Sequence, residues 1–95
     1  MQNVKDSDGT VVIYSRQIGG GTEQTVRLCV DLQRPHELID ASKIRVQDAA
    51  SLIADFVRAK KIKILNVAGP RASEWPEGYE YALRALETFI GSQKL

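Results

Sequence analysis

Three short β-branched runs alternate with three stretches of helical periodicity, and this alternation restricts the fold more than any other feature. Thr10-Val11-Val12-Ile13-Tyr14 is a compact apolar run, the kind buried on both faces of a parallel sheet. His36-Glu37-Leu38-Ile39-Asp40 is a weaker second strand, and Ile62-Lys63-Ile64-Leu65-Asn66-Val67 is a third. Between the first two, Thr22 is placed to cap a helix running to about Gln33, with Val26, Cys29 and Val30 as its inner stripe and Leu28 and Leu32 broadening it. Pro35 ends that helix, because the residue before a proline avoids the α region.

Residues 41–45 form a linker. In the helix that follows, Val46, Ala49, Ala50, Ile53, Phe56, Val57 and Lys60 recur at i, i+3, i+4, i+7 spacing. Pro76 suits the first turn of a last helix, in which Tyr79, Ala82, Leu83, Leu86 and Ile90 share a face and Gly91 marks the stop.

The order β-α-β-α-β-α predicts a three-layer α/β fold with a short parallel sheet and right-handed crossovers. Residues 1–95 are expected to form one domain, with residues 1–9 a flexible or loosely packed N-terminal segment closed by the Asp8-Gly9 turn signal. Strand order 2-1-3 is favoured, because it sets the turns after strands 1 and 3 side by side at a topological switch point. Three strands leave an open edge, a liability that a homodimer or a partner chain completing the sheet would remove.

Both of those turns are glycine-rich. Ile18-Gly19-Gly20-Gly21-Thr22-Glu23 follows strand 1, and Ala68-Gly69-Pro70-Arg71-Ala72-Ser73 follows strand 3. Free N–H groups at a helix start attract anions, and glycines let a ligand approach the main chain closely. A guanidinium after a strand end grips an oxyanion in bidentate fashion. Gly19, Gly20, Gly21, Thr22, Gly69, Arg71 and Ser73 are therefore the candidate binding residues. They point to a small phosphate-bearing or oxyanionic ligand.

The bland readings are a plain strand-to-helix turn at the first site and a rigid Gly-Pro loop with a solvated arginine at the second. Triple glycine fits neither the Walker spacing nor the dinucleotide fingerprint. Glu23 suits the helix dipole and argues against a highly charged ligand. Trp75 and Tyr79 either stack on a flat ring or cover a helix start, and covering is the safer reading.

Several function classes fall away. A net charge of +1 over 95 residues gives no phosphate-backbone binder, so no nucleic-acid partner is expected. Lys60, Lys61 and Lys63 cluster where cations suit the negative end of a helix. No apolar run approaches the ~20 residues needed to cross a bilayer. Cys29 is the single cysteine, so the chain has no internal disulfide and no thiolate metal cluster, and a reduced cytoplasmic setting is the default. His36 has no second histidine beside it, so no metal site is expected. Asp6 and Asp8 reach the turns only if the N-terminal segment folds back over them. No nucleophile and base can be paired, so no catalytic residue is assigned.

Asn3-Val4-Lys5-Asp6-Ser7-Asp8-Gly9-Thr10, Gly20-Gly21-Thr22 and Leu65-Asn66-Val67-Ala68-Gly69-Pro70-Arg71-Ala72-Ser73 together resemble the molybdenum carrier family. The resemblance spans nearly the whole chain, and Asn-Val-Ala-Gly-Pro-Arg is its most specific segment. It implies a Rossmann-like fold related to the Lonely-Guy and lysine-decarboxylase-like nucleotide-binding proteins. It also implies a non-enzymatic binding role, with the molybdenum cofactor or a nucleotide as ligand.

Family members carry a further N-terminal β/α portion with a Gly-Gly-Gln-Thr-Gly-type turn, so this chain is similar to the C-terminal part of the family domain. Relatives that hydrolyse nucleotides use Pro-Gly-Gly-x-Gly-Thr-x-x-Glu. Aligned on Gly21-Thr22, this chain has Thr25 in place of the glutamate and Gln17-Ile18 in place of Pro-Gly. Phosphoribohydrolase chemistry is therefore not expected. A nucleotide-processing enzyme and a sheet-completing interaction module of a split domain remain the alternatives.

Overall fold

The computed structural model describes residues 4, 6–15, 20–69 and 75–92, with backbone alone for residues 20–22. Strand β1 (Gly9–Tyr14) leads to helix α1 (Gly20–Asp31), then β2 (His36–Asp40), α2 (Val46–Ala59), β3 (Leu65–Ala68) and α3 (Pro76–Ser92). The three strands form one parallel sheet in the order β2-β1-β3. The βαβαβα arrangement and the 2-1-3 order match the pattern expected from the sequence.

Alternation along β1 divides the protein into two layers of packing. Val11 and Ile13 point to one face, where they join Ile39 of β2, Ala49, Ile53 and Phe56 of α2, Ile62 and Ala85 of α3 in the main core. Thr10 and Val12 point to the other face and are fully buried there, as is Cys29 of α1. Thr25 lies one turn before Cys29 and is buried with it. Burying side chains such as Ile13, Ile39 and Ile53 contributes roughly 1.5–3 kcal/mol each.

Several boundaries and faces differ from expectation. Helix α1 begins at Gly20, so Thr22 sits inside its first turn and is not its cap. It also stops sooner than Gln33. The Arg34 N–H donates to the Cys29 carbonyl and the Gln33 N–H to that of Val30, while Gln33 turns left-handed at φ 56°. This paired closure is a Schellman motif. Val30 is 60% exposed, because the face meeting the sheet is centred on Thr25 and Cys29, and Val30 lies about 100° round from Cys29.

Strand β3 begins at Leu65 and not at Ile62. The α2 terminus repeats the same closure, with Lys61 at φ 54° and the Ile62 N–H donating to the Val57 carbonyl. Lys63 and Ile64 then donate their N–H groups to the Asp8 carboxylate. Only from Leu65 onward is the backbone paired with β1. Ile62 still enters the core, and Gly9 makes room for it: a Cβ there would lie 2.6 Å from the Ile62 Cδ1 atom.

Helix α3 runs through Gly91 to Ser92, whose hydroxyl donates to the Phe89 carbonyl at 2.7 Å. Its sheet side is Gly78 and Ala85, with Tyr81, Ala82, Leu86 and Phe89 packed at the margin of the core. Tyr79, Leu83 and Ile90, expected on the inner face, are exposed.

Candidate functional site

In a parallel sheet all strands end on the same side, and in this one β1 and β3 end as neighbours. Val12 pairs with Ala68, so the chain leaves Tyr14 and Ala68 from adjacent strands. With β1 and β3 next to each other and α1 packed against β1, the start of α1 and Gly69 both lie at the carboxyl end of the sheet.

Gly20, Gly21 and Thr22 are the first three residues of α1, whose leading N–H groups have no partner within the helix. Gly69 directly follows β3. A side chain there would meet the Ile13 carbonyl oxygen at 3.8 Å and the Ile13 Cβ at 3.9 Å, which is ordinary contact, and its φ is not positive. Among the described residues, neither a positive φ nor a close contact accounts for glycine at this position. Gly19, Arg71 and Ser73 lie outside the described residues, as do Gln17 and Ile18.

The flanking residues divide by the end of the sheet they occupy. Glu23 follows the first three residues of α1 and pairs with Arg27 at 3.0 Å, an exposed i,i+4 pair that suits the helix dipole. Trp75 precedes α3 and its carbonyl accepts the N–H groups of Gly78 and Tyr79. Its indole lies against Gly78, so tightly that a Cβ on that glycine would collide with the ring. Covering the helix start is thus what Trp75 does. His36 opens β2 and Asp8 precedes β1, so both stand at the amino end of the sheet, opposite the start of α1 and Gly69. No group of His, Cys, Asp and Glu among the described residues could hold a metal ion.

One residue at the carboxyl end of the sheet was not singled out from the sequence. Asp40 ends β2 beside Tyr14 and is buried. Its Oδ1 accepts the Ser42 N–H at 2.9 Å and the Ser42 hydroxyl at 2.6 Å, while its backbone carbonyl accepts the N–H groups of Lys43 and Ile44. Two signals mark it in the sequence. It lies about 20 residues beyond the glycine turn, the spacing at which dinucleotide folds place a ribose-binding acid, and Asp-x-Ser is an Asx-turn pattern. The Ser42 bonds give it the second role here.

Burial raises the ionisation range of the Tyr81 hydroxyl, with the negative charges of Asp40 and Asp48 adding to the effect. That hydroxyl donates to the Ile44 carbonyl at 2.7 Å and fixes α3 against the loop before α2. At the far end of the sheet, the N–H groups of Ile64 and then Lys63 hold the Asp8 carboxyl below the usual carboxylate range.

No helix among the described residues is long and apolar enough to cross a membrane. Among curated proteins none matches the chain. A solved crystal structure does: that of "Putative molybdenum carrier protein" from Syntrophus aciditrophicus, with 38% sequence identity and a TM-score of 0.86. The match covers 92% of this chain and 55% of that one, so the chain spans little more than half the length of its relative. The model of the circularly permutated YpsA SLOG family matches residues 1–90. With the fold, the identity and the family model in agreement, the chain belongs to the circularly permutated YpsA SLOG family and is related to a molybdenum carrier protein.

Proposed function

We propose that the chain is a binding domain that holds a phosphate-bearing or oxyanionic ligand at the carboxyl end of its sheet and carries out no chemistry on it. The observation that carries this reading is the β2-β1-β3 order, which makes neighbours of the two strands that feed the glycine turns. N–H groups of Gly20, Gly21 and Thr22, with Gly19 leading into them, receive the anion. Arg71 and Ser73 clamp it from the second turn, and Gly69 keeps the floor open to it.

This donor set of N–H groups, a guanidinium and a hydroxyl suits an acceptor-only group such as phosphate or molybdate. The kinship with a molybdenum carrier protein supports the molybdenum cofactor as the ligand, and a nucleotide has the same anionic handle. The cofactor, when bound, supplies a phosphate and a metal-bearing pterin. The residues of this chain bind and orient the phosphate. A homodimer or a partner chain supplies what the three-stranded sheet lacks at its edge.

Titration with molybdate, nucleoside phosphates and the molybdenum cofactor, followed by amide chemical shifts, tests the site. Shifts concentrated in residues 19–22 and 69–73 are expected for at least one ligand. Arg71→Ala should weaken that ligand about ten-fold or more, the loss of a charge-assisted contact. Silence at both turns for every ligand rejects the reading.

A further inference from the structure

Four of the five residues from Lys60 to Ile64 are exposed, and three of those four are lysines. They form the connection from α2 to β3 at the amino end of the sheet, opposite the end where α1 starts. The negative end of α2 does not account for all of this charge. Its last carbonyls, on Phe56, Val57 and Arg58, accept the N–H groups of Lys60, Ile62 and Lys61. Arg58 already places a cation in the last turn, paired with Asp55 at 3.5 Å. Arg27, Arg45, Arg58 and Arg84 each have an acidic partner, whereas among the described residues no ion pair engages Lys60, Lys61 or Lys63.

Lys61 also occupies its position at a cost. At φ 54° its backbone is left-handed, a conformation that glycine adopts without strain. The fold alone favours glycine there, so the lysine side chain points to a use outside the fold. Ile64 lies beside these cations and is 59% exposed. Its N–H and that of Lys63 donate to Asp8 Oδ2, and its carbonyl accepts the Asp8 N–H. An apolar side chain on so fixed a backbone loses little freedom when something binds it. The acids at this end leave the lysines uncovered. Asp8 directs Oδ2 to the two N–H groups, Asp6 has a partner of its own, and Asp31 closes α1 on the other face of the sheet.

We propose that residues 60–64 form an interaction surface for an acidic polypeptide segment carrying an apolar side chain. Its carboxylates meet Lys60, Lys61 and Lys63, and its apolar residue meets Ile64. An apolar anchor among charges supplies affinity, and the charges supply specificity. Nucleic acid suits the surface less well. Three lysines with no arginine or aromatic side chain among them, on a chain of net charge +1, make no phosphate-tracking groove. The partner and a ligand at the glycine turns occupy opposite ends of the sheet, so each can be tested without the other.

The probe is a fluorescent peptide, Glu-Glu-Leu-Glu-Glu, titrated with the whole chain and followed by anisotropy and amide chemical shifts. Binding should move the amides of residues 60–64 and weaken as salt is raised. Lys61→Gly removes a cation and relieves the left-handed strain, so it should weaken the peptide about two- to five-fold while Tm rises. Lys60→Gln, Lys61→Gly and Lys63→Gln together should weaken it about ten-fold or more. Serine in place of the peptide's leucine should also weaken binding. No binding, or binding that the triple variant leaves unchanged, overturns the proposal. Tighter binding of a DNA duplex or of phosphatidylserine vesicles than of the peptide overturns it as well.

Discussion

Asp8 and Ile64 bond to each other in both directions: the Asp8 N–H donates to the Ile64 carbonyl at 2.8 Å, and the Ile64 N–H donates to Asp8 Oδ2 at 2.8 Å. The same oxygen accepts the Lys63 N–H at 2.9 Å. One side chain thus closes the loop between α2 and β3 onto the start of β1. Asp8→Ala should lower Tm at neutral pH, with Asp8→Asn falling between it and the wild type. The native carboxyl titrates below its ordinary value of 3.8, so its contribution is whole above that value and is lost as pH falls through the native one. The Tm gap between wild type and Asp8→Ala should be constant from pH 8 to about pH 5 and close in stronger acid.

Tyr81→Phe removes the hydroxyl that donates to the Ile44 carbonyl. The expected loss is about 1 kcal/mol by urea denaturation at neutral pH. For this acid the native ionisation lies above its ordinary value of 10.0, so the stabilisation is present below that value and disappears as pH rises through the native one. The two proteins should converge in stability in strong alkali. A gap that widens there would contradict the assignment.

Gln33 and Lys61 occupy left-handed positions, φ 56° and 54°, where both helices close. Glycine has no Cβ to strain there. Gln33→Gly and Lys61→Gly should each stabilise the protein by about 0.5–1 kcal/mol, and Tm should rise by roughly 4–8 °C per kcal/mol. They lie at separate sites, so thermal scans of the double variant should show nearly additive gains.

Gly78→Ala has the opposite sign despite lying in a helix. Alanine gains about 1 kcal/mol of helix propensity over glycine, but its Cβ collides with the Trp75 indole. Overpacking costs about 1–3 kcal/mol, so the net effect should be destabilising. In a Trp75→Ala background the same substitution should become stabilising. A double-mutant cycle measures that reversal.

The sheet order followed from placing the two glycine turns at a switch point. Strand β1 and helix α2 were legible because each rests on a pattern within a few residues, a β-branched run and Ala49, Ala50, Ile53 and Phe56 at helical spacing. The start of β3 was not, because its apolar run continues back to Ile62 while the N–H groups of residues 62–64 are drawn off by Val57 and Asp8. Asp8 and Lys63 lie too far apart in sequence for any local pattern to join them. Periodicity grouped Tyr79, Leu83 and Ile90 correctly on one side of α3. It could not say that Gly78 and Ala85, with less side chain, are what the core admits. In the candidate site, the placement of the glycine turn at the head of α1 was legible from the strand-turn-helix grammar. Asp40 was read only as the last residue of a strand, because its partner Ser42 lies across the boundary in the linker.

The central position of β1 has a consequence for how the chain reaches its native state. Thr10 pairs with His36 on one side and with Asn66 on the other. Strand β1 precedes both of its neighbours in the chain and has both edges satisfied only once β3 arrives, and neither of its ladders closes through a short hairpin. Loop-closure entropy must be met twice before the middle of the sheet is complete. Until residues 65–68 arrive, β1 presents an apolar, uncharged edge to whatever is near. The rate at which the second half of the chain appears, and not the strength of any single contact, should govern how much of this protein escapes aggregation as it folds.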